Sequence, residues 1–173
     1  MQVGTTHVLF VCTGNVCRSP MAEACLQTKL ADILGEKTTI PDIESAATTK
    51  WHEGEPPTSQ AIRCGERRGY LMARMRSRPV VTADFDRFVW IFAMTREHRQ
   101  WLQDRKPADS TAQVMLFSAL APELGMMDIP DPWGGDSNTY NQCLDLLEVG
   151  CTAIANRIVG AGAGPSALSR ARF

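Results

Sequence analysis

Short apolar runs alternate along this chain with longer stretches of helical spacing. The first run, His-Val-Leu-Phe-Val-Cys at 7–12, is continuous enough for a strand buried on both faces. A Gly/Asn turn follows at 13–15. A helix is predicted to start near Ser19-Pro20, where a first-turn proline loses no hydrogen bond. Met21, Ala24, Cys25 and Thr28 supply its inner face, and Gly35 ends it. The same reading predicts strands at 38–46, 88–93 and 113–117 and helices at 58–69 and 96–104, with Thr95 capping the latter. Residues 47–58 and 121–137 carry the glycines and prolines of loops. A last helix starts near Asp136-Ser137, with Leu144, Leu147, Cys151, Ile154 and Ile158 spaced 3, 4, 3, 4 along its apolar face. The Gly/Ala/Ser-rich residues 161–173 read as a flexible tail. Strands alternating with helices predict a single α/β domain: a four-stranded parallel sheet with helices on both faces.

Composition narrows the class of partner. The 173 residues carry 18 Lys+Arg against 19 Asp+Glu, so bulk charge gives no drive toward nucleic acid. Arg74, Arg76 and Arg78 read as a solvated surface. No apolar run approaches the ~18–20 residues of a membrane span. The first residues lack the basic and apolar regions of a signal peptide, which predicts a reduced, cytoplasmic setting. Six cysteines and three histidines include no C-x-x-C pair and no metal-ligand spacing, so neither metal nor cofactor is expected. Most of the cysteines, Cys25, Cys64, Cys143 and Cys151 among them, read as small buried hydrophobes.

The chemistry concentrates at the first strand–helix junction, Cys12-Thr13-Gly14-Asn15-Val16-Cys17-Arg18-Ser19. Ligands of open parallel sheets bind at the carboxyl ends of strands. A loop running from a strand into a helix points several N–H groups at one anion. Gly14 permits unusual backbone angles, and Asn15 tolerates the left-handed region. Neither a nucleotide P-loop nor a G-x-G-x-x-G pattern is present. Instead a cysteine sits at the base of the cradle, where N–H groups stabilise negative charge, and Arg18 can clamp two phosphate oxygens. Nucleophile plus cradle points to phosphoryl transfer through a cysteinyl-phosphate.

The segment VCTGNVCRSPMAE resembles the signature of low-molecular-weight protein tyrosine phosphatases. So do Ser45-Ala46-Ala47-Thr48, the loop of Trp51, Gly54 and Pro56-Pro57, and Asp131-Pro132-Trp133, so that the resemblance spans roughly residues 6–160 and predicts a phosphatase domain over 1–160. The resemblance implies Cys12 as nucleophile, Arg18 on the phosphoryl oxygens and Asp131 as general acid, then base. It further implies that Thr13, Gly14, Asn15, Val16, Cys17 and Ser19 bind the phosphate or shape its loop. Ser19 would hydrogen-bond the Cys12 sulfur and make it a better leaving group. Trp51 and Trp133 would wall an aromatic slot, and the partner would be a phosphotyrosine protein. Asp128 and Asp136 are rival carboxylates, but neither precedes proline, and Asp136 fits a helix cap. Cys17 could resolve an oxidised Cys12 as a disulfide.

Several positions depart from that family. Met75 stands where many members have a histidine that braces the loop, Thr95 where aspartate is frequent, and Gly134 where several have a second cleft aromatic. Thioredoxin-coupled arsenate reductases share the cysteine loop, but no cysteine lies between Cys64 and Cys143 to relay a disulfide. Protein-arginine phosphatases typically have threonine where Val16 stands, and an apolar side chain there favours an aromatic ester. A phosphotyrosine-binding or redox-sensing module without turnover is the non-enzymatic alternative. It would tolerate losing one of Cys12, Arg18 and Asp131, yet all three are present.

Overall fold

The computed structural model describes residues 6–35 and 38–162. In chain order the elements are β1 (Val8–Cys12), α1 (Arg18–Leu34), β2 (Ile43–Ala47), α2 (Ser59–Glu66), a one-turn α3 (Asp84–Arg87), β3 (Trp90–Ala93), α4 (Arg96–Gln103), β4 (Gln113–Leu116) and α5 (Ser137–Gly162). Two 3₁₀ turns, Phe117–Leu120 and Pro122–Leu124, lie in the connection between β4 and α5. The sheet is four-stranded and parallel, in the order β2-β1-β3-β4, with Cys12 opposite Ala47 and Val11 opposite Ala93.

That order explains where a site can form. From β1 the chain winds outward to β2, then crosses back to β3 on the other side. The loops leaving β1 and β3 therefore diverge at their carboxyl ends and leave a crevice. β1 has neighbours on both sides and helices on both faces, and all five of its residues are buried. Phe10 stacks on Phe92 at 5.8 Å and meets Phe117 at 5.9 Å, beneath α1 and α5. Leu9 and Val11 point the other way, onto Phe85, Phe88 and Leu102 of the α3–α4 side. Each such side chain contributes roughly 1.5–3 kcal/mol by leaving water. The predicted face of α5 is buried in full, and Gly150 lets Phe117 press on the helix: a Cβ there would lie 2.2 Å from the ring. Tyr70 closes the far end of this layer, giving its hydroxyl hydrogen to Glu148 at 2.6 Å.

Five expectations are revised. The second strand begins at Ile43 rather than 38, because Pro41 has no N–H for a ladder. The helix at 59 ends at Glu66; Gly69, at φ 82°, turns the chain away. The third strand is confined to Trp90–Ala93, because α3 turns just before it, its Asp84 carboxylate accepting from the Val81 N–H at 2.9 Å. Arg78 is not simply solvated: it is half-buried and pairs with Asp84 at 2.9 Å and Glu44 at 3.0 Å. Helix α5 reaches Gly162, two residues into the segment read as a tail, and 163–173 lie outside the described residues.

Candidate active site

The loop between β1 and α1 curls around the Cys12 sulfur. The Asn15 N–H points at Sγ from 3.3 Å, and the Ser19 hydroxyl lies 3.1 Å from it. Asn15 adopts φ 54°, the left-handed region that is costly without glycine. Its side chain holds it there. Oδ1 accepts from the Arg78 N–H at 3.1 Å, and Nδ2 donates to Ser19 at 2.9 Å and Ser45 at 2.8 Å. The Ser77 hydroxyl donates to the Gly14 carbonyl at 2.9 Å, and the Thr13 carbonyl accepts from the Thr49 hydroxyl at 2.9 Å. The bracing expected to be missing at Met75 is therefore supplied two and three residues later.

Arg18, first residue of α1, is buried although it is charged. It donates to the Ile129 carbonyl at 3.1 Å and to the Asp131 carboxylate at 2.8 Å. Among the described residues its Nε has no hydrogen-bond partner. A buried donor left unpaired is costly, so this atom marks where an acceptor belongs. Asp131 is carried in by a segment pinned to the sheet, the Ile129 N–H bonding the Met94 carbonyl at 2.9 Å. Cys12 and Asp131, far apart in sequence, thus line one cavity of about 310 Å³. Thr13, Gly14, Val16, Cys17 and Arg18 share its lining, and Trp51 and Trp133 stand at its mouth, 75% and 56% exposed. Asn15 and Ser19 do not line it; they support the Cys12 sulfur. Asp128 faces Arg96 instead, accepting from its N–H at 3.0 Å, and Asp136 caps α5 through the Thr139 N–H at 2.9 Å. Those Thr139 hydrogen bonds hold the Asp136 carboxyl below its usual range.

Three side chains at the site carried no signal in the sequence. His52 lines the cavity with its ring 5.0 Å from Trp133, and a Cβ on Gly14 would meet it at 2.9 Å. His98, buried on α4, bonds the Thr13 hydroxyl at 2.8 Å. Burial first, then the Arg18 charge, pushes it down to about 4, so it stays neutral beside the guanidinium at ordinary pH. Tyr140 of α5 sets its hydroxyl 3.3 Å from Cys17 and 3.1 Å from Thr58. Burial pushes the Cys17 thiol up to about 11, against the pull of these hydroxyls. Each of these contacts joins segments far apart in the chain, which no local pattern announces. Among the described residues no group of three His, Cys, Asp or Glu is placed to hold a metal ion. No described helix is long and apolar enough to cross a membrane.

Comparison with known proteins follows the same lines. Residues 7–161 match the family described as low molecular weight phosphotyrosine protein phosphatase. A Schizosaccharomyces pombe protein of that name is 35% identical over 137 residues, covering 79% of this chain and 86% of its own. A crystal structure of a protein tyrosine phosphatase from Entamoeba histolytica, with Hepes in the active site, superposes with a TM-score of 0.78 at 34% identity, covering 90% of this chain and 97% of that one. Wzb of Vibrio vulnificus, solved in complex with benzylphosphonate, gives 0.76 at 25% identity over 89% and 99% of the two chains.

Proposed function

Because this chain belongs to the low molecular weight phosphotyrosine protein phosphatase family, and is a protein tyrosine phosphatase, we propose that Cys12, Arg18 and Asp131 carry its reaction. The observation that carries the assignment is the unpartnered, buried Arg18 Nε in the cavity that also holds Cys12 and Asp131. A phosphoryl oxygen satisfies that donor. The loop N–H groups take the remaining oxygens, and the charge building on them in the transition state meets fixed dipoles and a fixed cation.

In the first step the Cys12 thiolate attacks phosphorus, the bond to the phenolic oxygen breaks, and Asp131 gives that oxygen its proton. In the second, Asp131 takes a proton from water as the water oxygen attacks phosphorus. The P–S bond breaks, the thiolate departs, and inorganic phosphate is released. Trp51 and Trp133 wall the slot for the phenyl ring, and apolar Val16 beneath them suits an aromatic ester better than a guanidinium phosphate. The benzylphosphonate held by the Vibrio protein, an aryl group joined to a phosphonate through one carbon, supports that shape of ligand. Six free, buried cysteines support a reducing, cytoplasmic setting.

The direct test is turnover of p-nitrophenyl phosphate in EDTA. Wild type should turn over and be blocked by vanadate. Cys12→Ser should lose essentially all turnover while still binding phosphate. Full activity in that variant would overturn the assignment of the nucleophile.

A further inference from the structure

Behind the phosphate loop a chain of hydrogen bonds runs away from the reacting sulfur. From Cys12 it passes to Ser19 (3.1 Å), to Asn15 Nδ2 (2.9 Å), to Ser45 (2.8 Å) and to the Glu23 carboxylate (2.6 Å). Its direction is determined. The Arg78 N–H can only donate, so the Asn15 amide must turn Oδ1 toward it and Nδ2 toward the two serines. Both serine hydroxyls then accept from Nδ2. Ser45 gives its hydrogen to the Glu23 carboxylate, and Ser19 gives its hydrogen to the Cys12 sulfur in its thiolate form, which can only accept. A carboxylate at the far end leaves every proton one place to go. A protonated carboxyl there competes with Asn15 for the Ser45 oxygen and leaves the Ser45 hydrogen a weaker acceptor.

We propose that Glu23 is a positioning residue for the reaction, orienting through Ser45, Asn15 and Ser19 the hydrogen bond that receives the departing Cys12 thiolate. The inference rests on the phosphatase reading above. Glu23 lies one helical turn beyond Ser19 on α1, and Gln27 a turn further on donates to it at 3.4 Å. It lines a second cavity of about 200 Å³ that shares no residue with the substrate cavity, so solvent can deliver its proton without entering the active site. The groups facing it are Glu44 and Ser45 on β2, Gln27 on α1, and Met75, Arg76 and Arg78 from the connecting segment. Met75 offers no charge, and the Arg76 guanidinium donates to the Ala73 and Met75 carbonyls. Burial therefore dominates, Glu44 adds to it, and the Ser45 hydrogen bond and Arg78 oppose it. The balance pushes Glu23 up to about 7.

The role belongs to the second chemical step, when the P–S bond breaks and the sulfur regains full charge. Disabling the chain should slow that step and spare the first. The experiment follows p-nitrophenyl phosphate turnover, with acid-quench trapping of phosphoenzyme, in wild type, E23Q, E23L, S45A and E23L/S45A. At pH 8, E23L and S45A should lower kcat roughly tenfold, about the loss of one hydrogen bond, while kcat/KM stays within about twofold. Trapped phosphoenzyme should rise, and the double variant should be no slower than either single one. E23Q should lie between wild type and E23L at pH 8 and converge with wild type at pH 5.5, where Glu23 itself is protonated. E23Q should melt no lower than wild type at pH 8, since it removes a half-buried charge. Parallel losses in kcat and kcat/KM, multiplying effects in the double variant, or an E23Q deficit equal at both pH values would overturn the proposal. A wild type without turnover would instead overturn the phosphatase reading itself.

Discussion

Residues 12–19 and residues 129–135 face each other across the cavity, and they are held in different ways. On the first side Cys12, Asn15, Val16, Cys17, Arg18 and Ser19 are all buried, and side chains from β2, α4 and the segment before α3 bond the loop. On the second side Asp131 is 47% exposed and Trp133 more so. That side hangs on the Met94 carbonyl and on two hydrogen bonds from Arg18. The contrast follows from the proposed chemistry. A nucleophile and its anion cradle need one geometry throughout. A carboxyl that first protonates a leaving group and then takes a proton from water serves two differently placed oxygens.

Breaking the exposed side should be costly only where a proton is needed. Asp131→Ala should lower kcat/KM on phenyl phosphate, which reports the step that expels the phenol, by roughly 10²–10⁴-fold. The loss should shrink for esters whose leaving group departs without a proton, as measured by a leaving-group series. An equal loss across the series would make Asp131 a structural residue. A smaller effect is expected at the rim. Trp133→Ala should reduce kcat/KM on phosphotyrosine peptides by roughly 3–10-fold, the scale of one aromatic contact, and leave the low rate on phosphoserine unchanged. Equal losses on both would remove the aromatic wall from the account of specificity.

The smallest effect sharpens the buried side. After peroxide treatment and dithiothreitol, wild type should regain more activity than Cys17→Ser if Cys17 captures the oxidised Cys12 as a disulfide, which would protect the sulfur from irreversible oxidation. With the Cys17 thiol pushed up to about 11, protection should improve as pH rises from 6.5 to 8.5. Mass spectrometry that finds no Cys12–Cys17 bond, with equal recovery in both proteins, would leave Cys17 a packing residue.

What was legible in the sequence was local. The apolar run at 7–12, the Thr95 cap, Gly35 and the face of α5 each declare themselves within a few residues, and each stands where its pattern placed it. The cysteine loop was legible for the same reason, since nucleophile, Gly, Asn, Arg and Ser lie within eight positions. The supports of that loop were not. Ser45 meets Glu23 across 22 positions, His98 meets Thr13 across 85, and Tyr140 meets Cys17 across 123. Such pairs exist only once the sheet has brought the carboxyl ends of its strands together. Arg78 misled for a related reason: its neighbours in sequence are basic, but its partners, Glu44 and Asp84, arrive from β2 and α3.

The two tyrosines of the chain carry a consequence for how this enzyme lives among kinases. Tyr70 gives its hydroxyl to Glu148, and Tyr140 keeps its own between Cys17 and Thr58, with both rings buried. A kinase needs a tyrosine it can draw out into an extended strand, and neither can leave without opening the layer between α1, α2 and α5. Among the described residues, therefore, the folded enzyme presents no exposed tyrosine to a kinase or to its own reaction.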